Sequence, residues 1–408
     1  MAPLDLPSVR ASFPSLSDDF VFMDNAGGSQ CLGAVADAVR DYLLGCNVQL
    51  GATYPVSVEA SRRVLSGRQA IARLVGAVDD RQVVLGSSTT QLLANFAQAL
   101  SADLRPGDEI VVTNADHEAN VGAFRRLERQ GVVVREWGLD LASQELRPGD
   151  LEPLLGPRTR LVCMTHCSNV LGTIFDVQAV SRRVHDAGAR LLVDGVAYAP
   201  HRRVDPTVCG ADYYVFSLYK VYGPHVAALV APLGHLEELG NINHEFLAHE
   251  TPYKLQPGNI CYELVAALPA IEAYLLELGG GAANGSYVAA LERAFTSIAK
   301  HEAELAERLL AFLRDRDDLD LIGNGGSDPA QRLPTVSFAP HAKAPEAIVR
   351  AVDEHGIGIR HGDFYARRLI DVLGLRARGG VVRISMVHYN TLEEVDRAIA
   401  ALDEALAS

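Results

Sequence analysis

Cysteine is scarce in this sequence: six residues in 408, at positions 31, 46, 163, 167, 209 and 261, too scattered for a compact disulfide framework. No run of about twenty apolar residues occurs, which leaves no candidate for a membrane-crossing helix. The first ten residues, Met1 to Arg10, have no apolar stretch flanked by basic residues, so no secretory signal is expected and the cytoplasm is the expected location. Basic charge is also short. Thirty-seven Lys and Arg against fifty-one Asp and Glu give a net charge of -14, which argues against bulk electrostatic binding to nucleic acid or to an anionic membrane. There is no Gly-x4-Gly-Lys-Ser/Thr phosphate loop, no Gly-x-Ser-x-Gly nucleophile elbow, no internal repeat and no low-complexity tract. Cys163, His166 and Cys167 sit close together, but no second Cys/His pair stands at the spacing of a closed zinc site, so no metal is expected.

What is present is ordinary globular composition, 48% hydrophobic and 22% charged, in a chain long enough for two or three lobes. Residues 1–20 read as an N-terminal arm, and Val21-Phe-Met-Asp24 as a strand entering Asn25-Ala-Gly-Gly28. Helical spacing of apolar residues runs from Leu32 to Leu44 and from Ser57 to Val75. Then the period alternates. Apolar β-type runs at Val83–Leu85, Ile110–Thr113, Val132–Val134, Arg160–Met164, Arg190–Val193, Tyr213–Phe216 and Ala227–Ala231 are separated in several places by helical stretches such as Val177–Ala187. Strand-helix alternation over some 150 residues predicts an α/β domain with a mostly parallel sheet. A glycine break at Gly279–Gly281 precedes an amphipathic stretch, Tyr287–Arg314, which places a domain change there: 21–285 as the large domain and 286–408 as a smaller α+β domain with which the arm packs. Thr391-Leu-Glu-Glu394 is a capping box opening a last helix.

In a parallel sheet, ligands collect off the carboxyl ends of the strands, and five such ends here carry chemistry. Gly86-Ser-Ser-Thr-Thr90 follows a strand and opens a helix, where hydroxyls and free amides suit a phosphate; Ser and Thr also serve there as plain N-caps. His117 follows the run ending at Thr113, and is either a ring-stacking residue or a solvated loop histidine. Asn169 follows the run ending at Met164, and is either a ligand contact or a turn asparagine. Asp194 ends an apolar run where an unpaired carboxylate is costly, so it either meets a cationic ligand atom or caps the Gly195 turn. Lys220 closes Tyr213-Tyr-Val-Phe-Ser-Leu-Tyr-Lys220. It is either a lysine made nucleophilic by burial, suited to a Schiff base, or one snorkelling from a strand end.

Taken in order, these pieces resemble the fold-type I enzymes that use pyridoxal 5'-phosphate, in the class V aminotransferase and cysteine desulfurase group. The specific segments are Asp116-His-Glu-Ala-Asn120, Thr165-His-Cys-Ser-Asn-Val-Leu-Gly-Thr173, Val193-Asp-Gly195 with Ala199-Pro-His201, and Phe216-Ser-Leu-Tyr-Lys-Val-Tyr-Gly-Pro224. The resemblance implies that Lys220 links to the cofactor aldehyde and later moves the α-proton, that Asp194 pairs with the pyridine nitrogen, and that His117 stacks on the ring. It further implies that Asn169 contacts the ring hydroxyl or the substrate, that Ser88, Thr89, Thr90, Ser217 and Tyr219 hold the phosphate, and that Arg383 takes the substrate carboxylate. A homodimer follows from the same likeness, with Asn259 reaching the neighbour's phosphate. Asn25, Tyr54, His361, Asp363 and Tyr365 are candidates for the substrate end.

Three departures from that group narrow the chemistry. The desulfurases' loop cysteine aligns with Arg360-His-Gly-Asp-Phe-Tyr365, and no cysteine follows Cys261, so persulfide formation at that loop is not expected. Ala197 stands where Gln or His is usual, and Tyr219 where His is common. The expected function is therefore a desulfurase-like C–S lyase working by β-elimination on an amino acid. An aminotransferase or an epimerase of the class V family is the alternative, and a catalytically silent binding protein is the alternative of another kind.

Overall fold

The computed structural model describes residues 4–281 and 286–407. In chain order the strands are β1 (Val21–Phe22), β2 (Val83–Gly86), β3 (Glu109–Thr113), β4 (Val133–Trp137), β5 (Thr159–Thr165), β6 (Arg190–Asp194), β7 (Tyr213–Ser217), β8 (Ala227–Val230), β9 (Leu319–Ile322), β10 (Thr335–Pro340), β11 (Ile357–Gly358), β12 (Arg360–Gly362) and β13 (Val381–Ser385). β2 to β8 form a seven-stranded sheet in the order β2-β8-β7-β6-β5-β3-β4, with β3 to β7 parallel and β8 antiparallel to both its neighbours. Strand β2 therefore points the same way as β7, and Gly86, Thr113, Thr165, Asp194 and Ser217 end on one edge.

Strands β3 and β7 are buried at every position, and β5 and β6 at all but one. Such strands are covered on both faces, which is why they read as unbroken apolar runs. Strand β4 lies at the sheet margin and is mostly half-exposed or exposed. There Arg135 pairs at 2.9 Å with Glu109 on the adjoining strand, a charged margin of the kind that discourages edge pairing.

The second sheet is antiparallel, in the order β12-β13-β10-β9. The helices Pro345–Asp353 and Leu392–Ala407 pack against it and share its core. The last helix opens with a reciprocal capping box: the Glu394 amide donates to Thr391 Oγ1, and the Thr391 amide to the Glu394 carboxylate, each at 3.1 Å. The expected domain edge at residue 285 lies outside the described residues. Beyond it, the helix Tyr287–Arg314 serves two cores. Leu291, Phe295 and Ile298 pack with the large sheet, whereas Leu305, Leu309, Leu310 and Leu313 pack with the small one. Val9 and Phe13 of the N-terminal arm join the large core, while Arg10 reaches Glu394 at 2.7 Å and the Tyr389 carbonyl at 2.9 Å.

The loop after β5 binds the two sheets together. Leu333 donates its amide to the Gly172 carbonyl at 2.8 Å, and Ser337 Oγ donates to the Val170 carbonyl at 2.7 Å. Gly172 has φ +69°, and a β-carbon there would lie 2.2 Å from the Thr335 carbonyl oxygen. Only glycine fits such an approach in a left-handed turn. Gly172→Ala should lower the unfolding free energy by about 1–3 kcal/mol through strain and displacement of β10, read as a lower midpoint in urea denaturation.

Candidate active site

Lys220 is presented by a short, constrained descent from β7. Ser217 ends the strand, and Leu218–Lys220 form one 3-10 turn. The Val221 and Gly223 amides both donate back to the Leu218 carbonyl. Tyr222 follows with φ +61° and a fully buried ring, its hydroxyl donating to the Pro200 carbonyl. This turn leaves the lysine side chain only 7% exposed.

Asp194 ends β6, between β5 and β7, and is 5% exposed. One carboxylate oxygen accepts the Val196 amide at 2.9 Å, so the turn-capping role that the sequence left open is real. Gly195 is required here because a β-carbon would fall 2.1 Å from the Tyr214 ring. Beneath the turn, His166 stacks on Tyr198 at 3.6 Å between ring centroids and bonds the Tyr214 hydroxyl at 2.9 Å.

A cleft joins these strand ends. Its walls include nine of the expected residues: Ser88, Thr89, Thr90, His117, Asn169, Asp194, Ser217, Tyr219 and Lys220. Ser88 also caps the helix Thr89–Leu100 by accepting the Gln91 amide at 3.1 Å, so both readings of that loop apply at once. Thr89 Oγ1 and Ser217 Oγ lie 2.7 Å apart, linking the helix start to the end of β7. His117 Nδ1 accepts the Ala119 amide at 3.1 Å. Its loop is held by buried Asp116, whose carboxylate accepts from Thr113 Oγ1 and, at 2.7 Å, from Asn120 Nδ2.

Seven expected residues lie outside these walls: Arg383, Asn25, Asn259 and the substrate-end candidates Tyr54, His361, Asp363 and Tyr365. Arg383 is 2% exposed and donates to Asp24 at 2.6 Å and to the Asn169 carbonyl at 3.1 Å, with its guanidinium carbon 3.8 Å from the centroid of the Phe364 ring. Asn25 was expected at the substrate end; instead its amide is used internally. Nδ2 donates to the Phe22 and Ser385 carbonyls and to Asn390 Oδ1, and its oxygen accepts from Tyr389. Those bonds make it a tie between β1 and the small sheet, because a buried amide must satisfy both ends. Asn259 lines a neighbouring cleft with Gly86, Ser87, Gln91 and Gln256.

Sequence reasoning missed Asp24 as the partner of Arg383, and also Thr165 and Cys167 as walls of the cleft. Asp24 follows a two-residue strand and carries no local signal. Among the described residues no group of three His, Cys, Asp or Glu side chains could hold a metal ion.

The electrostatics are unusual for so small a space. Burial first, then the Arg383 charge, push Lys220 down to about 8, against the pull of Asp194 and Asp24. Burial raises Asp194 to about 6, opposed by the Val196 amide and by Lys220. Burial, followed by the Lys220 charge, lowers His117 to about 4, which leaves the imidazole neutral at physiological pH. Among the described residues neither Lys220 nor Asp194 forms an ion pair. A deprotonable buried amine, a buried carboxylate lacking a cation, and a hydroxyl-rich helix start form a donor set that fits an aldehyde, a protonated ring nitrogen and a phosphate on one flat molecule.

The fold and this cleft define a fold-type I pyridoxal-phosphate enzyme. The sequence model of the family described as Aminotransferase class-V matches residues 21–398. The chain is 40% identical to the aminotransferase-like protein FGM3 of Gibberella zeae over 98% of both chains. It is 31% identical to the cysteine desulfurase-like protein ustD of Aspergillus flavus, over 98% of this chain and 90% of that one. The solved structure of the cysteine desulfurase CsdA from Escherichia coli superimposes with a TM-score of 0.84 at 26% identity, covering 100% of this chain and 99% of that chain. The protein belongs to the class V aminotransferase family, whose members depend on pyridoxal 5'-phosphate.

The raised carboxyl of Asp194 has a measurable cost in cofactor-free protein. Its folded value, about 6, lies above the unassociated value of 3.8, so the favourable contribution is complete below about pH 4 and is lost as pH rises through about 6. Asp194→Asn keeps an oxygen for the Val196 amide and removes the charge. It should raise the unfolding free energy of cofactor-free protein at pH 8 by roughly 1–3 kcal/mol, with no gain near pH 4. Urea titrations at the two pH values check the sign.

Proposed function

We propose that the cleft binds pyridoxal 5'-phosphate and that the protein is a C–S lyase acting on a β-sulfur-substituted amino acid by β-elimination. The observation that carries this is the pair of buried, unpaired ionisable groups, Lys220 and Asp194, on adjoining strand ends within one hydroxyl-lined cleft. Ser88, Thr89, Thr90, Ser217 and Tyr219 would hold the phosphate, Asp194 the ring nitrogen, and His117 a ring face. Asn169 would hold the ring hydroxyl or the substrate. Bound there, the cofactor supplies a sink for the electron pair left when a bond to the substrate α-carbon breaks.

Lys220 then has the work of a base. With its pKa lowered to about 8, a useful fraction of the amine is unprotonated near neutral pH, and it would take the α-proton. Arg383 would orient the substrate through its carboxylate, displacing or sharing Asp24. Loss of the β-sulfur as sulfide and hydrolysis of the remainder would give pyruvate and ammonia from cysteine and water. The segment Arg360–Tyr365 contains no thiol, which favours direct release of sulfide over its transfer to the enzyme.

Transamination is the second reading, favoured by the 40% identical relative whose name is aminotransferase-like. We also propose a homodimer. The helix Pro55–Leu74 exposes Val56, Val58 and Leu65, Leu65 lines a cleft with Tyr253 and Asn259, and Asn259 stands outside the Lys220 cleft as a residue offered to a neighbour would. A cytoplasmic location accords with six free cysteines, and no helix among the described residues is long and apolar enough to cross a membrane.

Added pyridoxal phosphate should give wild-type protein a visible absorption band that borohydride fixes covalently, and Lys220→Ala should show neither. Turnover of cysteine to pyruvate and sulfide should fall by roughly 10²–10⁴ or more in that variant. Accumulation of pyridoxamine phosphate with a keto acid, in place of sulfide, would move the assignment to transamination.

A further inference from the structure

Three residues with unusual backbone stand next to the segments that line the cleft. Among the described residues, four without glycine's freedom have left-handed backbone: Gln144, Tyr222, Phe364 and Tyr365. Tyr222 lies two residues past Lys220, and the last two are consecutive, at φ +53° and +58°. A β-carbon is crowded in that region, and two adjacent aromatic residues there require support from their surroundings.

The support is visible. Tyr365 donates its amide to Asp363 Oδ1 at 3.0 Å. Asn169 Nδ2, from the large domain, donates to the Phe364 carbonyl at 3.0 Å. The Glu118 amide, one residue after His117, donates to the Tyr365 carbonyl at 2.7 Å. Phe364 lies beneath the Arg383 guanidinium, and Arg368 approaches the Glu118 carboxylate at 3.3 Å. A corner of the small domain is thus bolted to the two loops that carry Asn169 and His117.

What the corner presents is Tyr365, whose ring centroid is 5.4 Å from that of His117 with the planes tilted by 44°. The residue is 69% exposed, so core packing does not account for a tyrosine at a strained position. The imidazole is anchored at one point, where Nδ1 accepts the Ala119 amide. The tyrosine ring flanks the imidazole on one side of that anchor.

We propose that Tyr365 is a positioning residue, which sets the plane of the His117 imidazole on the wall of the cleft and so couples the seating of the small domain to the ring of the bound cofactor. This rests on the cleft being the pyridoxal-phosphate site. Aromatic contact is the whole of the proposed action; the phenol oxygen has no part in it.

Four variants test it: Tyr365→Gly, Tyr365→Phe, His117→Ala, and His117→Ala with Tyr365→Gly. Each is read by melting temperature, by titration of the visible band with pyridoxal phosphate, and by visible circular dichroism of the bound cofactor. Tyr365→Gly relieves the backbone, so its melting temperature should equal or exceed that of wild type. Its cofactor affinity should nevertheless fall by about two- to tenfold, the range of a lost aromatic pair, with weaker visible ellipticity. Tyr365→Phe should match wild type in all three. On the His117→Ala background the glycine change should have no further effect on affinity or ellipticity.

The proposal is overturned if Tyr365→Gly binds the cofactor with unchanged affinity and ellipticity, or if its full effect persists without His117. If wild-type protein takes up no pyridoxal phosphate, the cofactor reading of the cleft fails first and removes the basis of the proposal. Uptake by wild type with identical behaviour of the glycine variant removes the positioning role alone.

Discussion

Two ionisable side chains on neighbouring strand ends, both withdrawn from water and neither in an ion pair among the described residues, are the constraint around which the seven-stranded sheet is arranged. A buried charge without a partner is among the more costly features a fold can carry. Here the cost is visible in opposite directions: the Lys220 amine is pushed down and the Asp194 carboxyl up, so the two approach each other from either side of neutrality. Much of the surrounding architecture holds them in place. Gly195 brings the strand end against Tyr214, and the Leu218–Lys220 turn with strained Tyr222 fixes the lysine stem.

The antiparallel sheet unit takes part in the same arrangement. Its strand β10 receives the Gly172 turn of the loop that bears Asn169, its strand β13 supplies Arg383 to Asp24, and its aromatic corner rests on Asn169, Glu118 and His117. The long helix Tyr287–Arg314 contributes to both cores. Movement of one sheet relative to the other would therefore be felt at the cleft through hydrogen bonds to carbonyls, which tolerate little lengthening.

Much of the site was legible in the sequence for a plain reason. Strands buried on both faces are continuous apolar runs, and a polar residue ending such a run must lie at the sheet's edge, where ligands collect. Lys220, Asp194, His117, Asn169 and the Ser88–Thr90 loop were all located in that way and all reach one cleft. Asn25 was misplaced because an asparagine beside two glycines looks like a ligand-facing turn, and nothing local reveals that Ser385, Tyr389 and Asn390, some 360 residues away, consume its amide. Strand β4 differed in extent because its polar residues belong to a sheet margin, a position that pattern alone does not disclose.

The sequence by itself determined the alternation of strands and helices, the presence of a lysine and an aspartate after apolar runs, the capping box at Thr391, and the absence of a thiol after Cys261. Each of these is a local matter of side-chain period, backbone capping or residue identity. Tertiary structure alone decided the pairing of Arg383 with Asp24, the internal use of Asn25, the sharing of one helix between two cores, and the placing of Tyr365 beside His117. Those features depend on contacts between segments hundreds of residues apart, which burial and hydrogen-bond satisfaction settle only once the chain has closed on itself.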